Sequence, residues 1–133
     1  HFSESNSGFG VPSILYRYSG YGSEYKFVPV QSVSTEGAVA WEYFEYAGES
    51  YLTVANYFNG THFAINSTVY KLDRNNPDTS APTLKNIQSI ETNGARDVAQ
   101  FSIGSTQYLV FANWRGRSVD VYRLDQKISA QID

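Results

Sequence analysis

Residues 31–56 read QSVSTEGAVAWEYFEYAGESYLTVAN and residues 88–113 read QSIETNGARDVAQFSIGSTQYLVFAN, a gapless match with ten of 26 positions identical. Gln31, Thr35, Gly37, Ala38, Phe44, Tyr51, Leu52, Ala55 and Asn56 recur as Gln88, Thr92, Gly94, Ala95, Phe101, Tyr108, Leu109, Ala112 and Asn113. A second element follows each copy: Val69-Tyr70-Lys71-Leu72-Asp73 and Val121-Tyr122-Arg123-Leu124-Asp125. Leu15-Tyr16-Arg17-Tyr18 is a weaker third copy of it. From Gln to Asn is 25 residues in both copies, whereas from Asn to the following Tyr is 14 in one and 9 in the other. From Tyr to the next Gln is 15 and then 18. Blocks of constant length pack, and joints that change length run over the surface.

Working outward, each block reads as strand. Residues 38–46 are rich in Val, Trp, Tyr and Phe and stop at Ala47-Gly48, a turn signal. Residues 51–57, 67–72 and 84–90 are further short runs, broken by Gly, Asn, Asp and Pro, without sustained helical periodicity. Four short antiparallel strands in a unit of roughly 50 residues is the pattern of one propeller blade. Apolar residues on both faces of several strands suit a blade sandwiched between two neighbours. The expected fold is therefore all-β, with about two and a half blades of a larger propeller. Residues 1–34 end one blade, 38–91 form a complete one, and 95–133 form the next, with Lys127 to Ile132 as a degenerate outer strand. The two long copies should follow the same backbone path, with Tyr51 to Ala55 and Tyr108 to Ala112 as equivalent second strands. A small β-sandwich is the alternative. Such a set of blades cannot close a ring and leaves open edges. The chain is thus expected to be either a piece of a longer one or a subunit that closes a ring with further copies.

Composition narrows the function. Charged residues make up 17%, the net charge is −3, and the ten basic residues are scattered, which argues against nucleic acid. No apolar run is long enough to span a membrane. The sequence starts at His1 and contains no Met, as expected of a processed or excised product. With no Cys, stability must come from the core. Asn59-Gly60-Thr61 and Asn66-Ser67-Thr68 are N-glycosylation acceptor patterns, seven residues apart. They arise by chance or mark a secreted, extracellular chain; both asparagines are expected on one exposed loop.

The pattern Gln-x-Ile/Val-x-Thr-x-Gly-Ala, then Phe, then Tyr-Leu-x-x-Ala-Asn, then Val-Tyr-Lys/Arg-Leu resembles the epilepsy-associated repeat, called EAR or EPTP. The resemblance covers nearly the whole chain. It implies the seven-bladed propeller of the leucine-rich glioma-inactivated secreted proteins, in which the Gln-containing strand is the outer strand of one blade and the Gly-Ala strand opens the next. On that reading His1-Phe2 would follow a preceding Ala-Asn. The resemblance also implies binding of cell-surface or matrix proteins, membrane-anchored metalloprotease-like receptors among them.

Catalytic apparatus is not visible. His1 and His62 make no ligand pair, Cys is absent, and neither G-x-S-x-G nor G-x-G-x-x-G occurs. Glu42 and Glu45, three apart on a strand, face opposite sides. The chain is therefore read as no enzyme. Asp97 stands where related propellers line a central channel, and carboxylates converging there would hold Ca²⁺. Ala40 occupies the matching place in the other copy, and a hydrogen-bonding role near Gly94-Ala95 is the plainer reading. No other cofactor is expected.

The loop after Ala-Asn carries the binding signal. It holds Tyr57, Phe58, His62 and Phe63 in one copy and Trp114, Arg115 and Arg117 in the other, and blade topology brings Arg96 to the same side. Trp, Tyr and Arg dominate interface hot spots. Tyr57 and Trp114 are equally readable as caps on the core between blades, and Asn56 and Asn113 as ties between turn and backbone. A glycan at Asn59 would shield the Tyr57 side, so the expected contact is Trp114, Arg115, Arg117 and Arg96. The leading expectation is an extracellular protein-interaction module. The alternatives are a carbohydrate-binding module, with Trp114 stacked on a sugar and Arg115 or Arg117 on an acidic group, and a structural matrix component. Further blades, from the rest of a longer chain or from other copies, are expected partners too.

Overall fold

A computed structural model describes residues 8–20, 23–75 and 81–125. Among these residues nine strands form three antiparallel sheets, each a simple meander. β1 (Ser13–Ser19) pairs β2 (Lys26–Val33). The second sheet runs in order through β3 (Ala38–Tyr46), β4 (Glu49–Asn56), β5 (Ala64–Asp73) and β6 (Thr83–Asn93). The third holds β7 (Ala95–Ile103), β8 (Thr106–Asn113) and β9 (Ser118–Arg123). Among the described residues the only helical piece is a 3-10 turn at Gly8–Gly10. These are propeller blades: one complete, flanked by parts of two others. The strand expected from Lys127 to Ile132 lies outside the described residues, as do His1 and Phe2.

The two long copies share their register down to its irregularities. Phe44 faces Tyr51 and Trp41 faces Val54; Phe101 faces Tyr108 and Val98 faces Phe111. Both pairings slip at the same place, between Ala38 and Ala40 and between Ala95 and Asp97. The outer pairs share a second slip, at Leu15/Tyr16 and at Val69/Tyr70. Repeated bulges of this kind are built features that bend the strand and re-aim side chains.

One expectation fails. β5 begins at Ala64 rather than Ser67, because Ala64, Ile65 and Asn66 continue the ladder opposite Asn93, Thr92 and Glu91. Asn66 is exposed but sits in a strand, not on a loop with Asn59.

Strand alternation gives β4 two jobs. Tyr51 and Ala55 join Phe44, Val69 and Ile90 against Ala95, Val98, Leu109 and Phe111 of the third sheet. Leu52 and Val54 turn the other way, with Trp41, Tyr70 and Leu84, against Leu15 and Val33 of the first. The middle sheet is thus covered on both faces, which is why its strands do not alternate cleanly between apolar and polar.

The recurring polar residues tie this frame together. Thr35 Oγ1 donates to the Val11 carbonyl at 2.9 Å and lies 3.1 Å from Ser13 Oγ. Thr92 repeats this, donating to Ile65 at 2.8 Å and lying 2.8 Å from Ser67 Oγ. Asn56 Oδ1 accepts the Glu36 amide and Asn113 Oδ1 the Asn93 amide, at 3.3 and 3.2 Å. Both asparagines are buried, as ties between turn and backbone should be. Gln31 reaches across to the second sheet, donating from Nε2 to the Leu84 carbonyl and accepting the Leu84 amide on Oε1, at 2.9 and 2.6 Å. A single side chain so replaces two ladder bonds between sheets.

Candidate interaction face

The residues after Asn56 and Asn113 fold back over the start of the preceding inner strand. The Tyr57 amide donates to Gly37 and the Trp114 amide to Gly94, at 3.1 and 2.9 Å. Gly37 and Gly94 adopt φ of 57° and 64°, and a Cβ there would run into the Phe58 backbone or Arg115. Glycine recurs because the loop passes directly above it.

This crossing gathers a row of rings over two sheets. Phe9 packs edge-on to Phe58 at 4.8 Å, and Phe58 stacks on Phe63 at 4.4 Å. Phe63 meets Tyr57 edge-on at 5.2 Å and Trp114 at 6.3 Å, with Tyr57 and Trp114 6.1 Å apart. Arg96 is the residue left unpaired by the β7 bulge. Its guanidinium carbon lies 4.9 Å from the centroids of both Tyr57 and Trp114, and its Nη2 donates to Tyr57 Oη at 3.3 Å. Arg115 lies over Phe63 at 5.4 Å. Each cation–π contact is worth about 0.5–1 kcal/mol at an exposed site.

Of the residues singled out by sequence, Tyr57, Phe58, Arg96, Trp114 and Arg115 meet here. Tyr57 is buried, so it supports the face from beneath, as a cap would, rather than offering contact area. Trp114 is 53% exposed and is no core cap. Arg117, in the same turn with φ of 53°, is exposed. Phe63 belongs to the cluster as fully as Tyr57. Phe9 joins it from the far side, with no pattern in its own stretch to announce it. Asn59 caps the exposed tip of the longer loop: its Oδ1 accepts the Thr61 and His62 amides at 2.9 and 2.8 Å.

Asp97 takes the plainer of its two roles, with Oδ1 accepting the amide of Val98 at 2.9 Å. Among the described residues no three His, Asp or Glu side chains gather as metal ligands.

Sequential antiparallel blades, locked by repeated Thr and Asn ties and by Gln31 between sheets, define a propeller-type repeat protein. An EPTP domain model matches residues 26–73 and 84–125, and the chain belongs to that family. It is 40% identical over 111 residues to the human thrombospondin-type laminin G domain and EAR repeat-containing protein, a match covering 83% of this chain. The mouse protein of the same name is 39% identical over the same length. The chain spans 16% of the length of either relative.

Proposed function

We propose that this chain is a non-catalytic, extracellular interaction module that holds a cell-surface or matrix protein against the loops following Asn56 and Asn113. The observation that carries the reading is Trp114. It is a large, half-exposed ring, pre-positioned by Arg96 and Phe63 at the edge of a packed aromatic row. An anchor already held in place loses less entropy on binding. Membership of the EPTP family supports an interaction role.

Cell-surface binding tests it. Wild-type chain should bind intact cells in a protease-sensitive manner. The Trp114→Ala/Arg115→Ala variant, still folded, should bind about 30-fold more weakly, the equivalent of roughly 2 kcal/mol. Unchanged binding would move the site elsewhere, and binding lost to glycosidase but not protease would favour a lectin. Extracellular residence carries its own test: made in a secreting eukaryotic host, the chain should carry a glycan on Asn59, detected as added mass that Asn59→Gln removes.

The two outer faces have a different proposed occupant, further blades of the same repeat. Tyr16, Tyr18 and Phe27 are exposed on the first sheet, at the register of the middle-sheet residues Tyr70, Leu72 and Leu84. Phe101 and Val121 are exposed on the third, at the register of the buried Phe44 and Val69. Each outer face thus copies a face that is covered by a blade inside the chain.

A further inference from the structure

Resting on the proposed protein-binding face, we propose that its partner presents an acidic segment whose carboxylate is received by the clamped guanidinium of Arg96, with Arg115 beside it. Three observations carry this. First, the Arg96 group is flanked by two rings, Tyr57 and Trp114, and tethered to Tyr57 Oη. Guanidinium donors lie in the plane of the group, so the rings leave that edge as the place for an acceptor. A planar edge with fixed orientation matches the two oxygens of a carboxylate.

Second, among the described residues neither Arg96, Arg115 nor Arg117 has a carboxylate within ion-pair distance; the ion pair seen is Lys71 with Glu49, at 3.6 Å, at the other end of β4 and β5. Three exposed arginines therefore share one end of a chain whose net charge is −3. Positive charge collected on one face draws an acidic partner and fixes its orientation.

Third, the rings make a protein carboxylate a better fit than an acidic sugar. Sugars stack on an open ring face, and Arg96 already lies over the Trp114 ring, with Phe63 inclined to it at 58°. Trp114, 53% exposed with Arg96 over its ring, stands beside the half-buried Phe58 and Phe63. An acidic residue with an apolar neighbour uses both parts of this surface.

The test titrates the folded chain with a soluble Glu–Gly peptide, its Gln–Gly analogue and heparin, following the Arg96 Nε–H and Trp114 indole resonances. The Glu–Gly peptide should shift both and bind more weakly as salt rises. Its affinity should fall about tenfold in Arg96→Met and by a smaller factor in Arg96→Lys, which keeps charge without the planar fork. Arg115→Met, which leaves the Tyr57–Arg96–Trp114 stack in place, should weaken it about threefold and covers the case in which Arg96 variants fail to fold. Equal binding of the Gln–Gly peptide, no binding of the Glu–Gly peptide, or affinities unmoved by both arginine variants would overturn the acidic inference. Heparin bound through Arg96 in place of the peptide would overturn it in favour of a sulfated glycan. If the inference fails while cell-surface binding still depends on Trp114, the proposed face stands with a neutral partner.

Discussion

Phe44 stacks on Tyr51 with centroids 5.2 Å apart and planes inclined at 12°; Phe101 stacks on Tyr108 at 5.1 Å and 14°. The pairs are the same cross-strand feature in two copies of one repeat, with one difference. Phe44 is 4% exposed because the third sheet lies on it, whereas Phe101 is 36% exposed. Ring geometry is thus a local property of the hairpin, set by register, and burial is a property of the neighbour. The same contrast divides Val69 from Val121. Repeat proteins of this kind derive much of their stability from the interfaces between units, so equal sequences carry unequal energetic weight.

Substitution should expose that inequality. Phe44→Ala removes a fully packed ring and should cost roughly 3–5 kcal/mol. Phe101→Ala loses mainly the stacked pair, about 1 kcal/mol. Chemical denaturation of the two variants reads the difference directly, and equal costs would mean that the middle sheet is not covered by the third.

A second contrast lies in the loops. Gly37→Ala forces a Cβ against the Phe58 backbone carbonyl, whereas Gly94→Ala meets the Arg115 side chain and amide. Both pay for a left-handed backbone, about 1–2 kcal/mol. Gly37→Ala should cost more, by about 1 kcal/mol, since its Cβ presses closer on the Phe58 carbonyl oxygen than the Gly94 one does on the Arg115 Cβ, at 2.8 Å. Melting midpoints in the order wild type, Gly94→Ala, Gly37→Ala are expected.

Smaller still is the effect of pH. Burial pushes the Tyr51 phenol above its usual range, assisted by Glu49 and Tyr46; burial raises Tyr70 too, opposed by the Thr68 hydroxyl. A phenol harder to ionise when folded favours the folded state fully below about pH 10, where the unfolded phenol begins to ionise. That stability is lost as pH rises from there through the folded value. Tyr51→Phe should flatten the alkaline fall relative to wild type. Urea midpoints measured from pH 8 to 11.5 would settle the comparison.

Much of this was legible beforehand. Ten identities across 26 positions marked the framework, and constant spacing separated it from the joints. What Gln31 and Thr35 do was not legible, because each bonds to a residue more than 20 positions away in the sequence, whereas the backbone tie of Asn56 was. The start of β5 was missed because Asn66 reads as a loop residue; the ladder of Ala64 with Asn93 decides it. Trp114 and Arg115 were visible as aromatic and basic loop residues. The Arg96 clamp was not, since it needs a bulge in one sheet to meet a ring from another, 39 residues away.

The third sheet offers two exposed aromatic surfaces with different proposed partners, the loop face around Trp114 and the outer face around Phe101 and Val121. Quantitative cell-surface binding of Trp114→Ala/Arg115→Ala beside Phe101→Ala/Val121→Ser tests that assignment most directly. The loop variant should lose about 30-fold in affinity and the outer-face variant less than about twofold. Loss confined to the outer-face variant, with the loop variant binding as wild type, would contradict it.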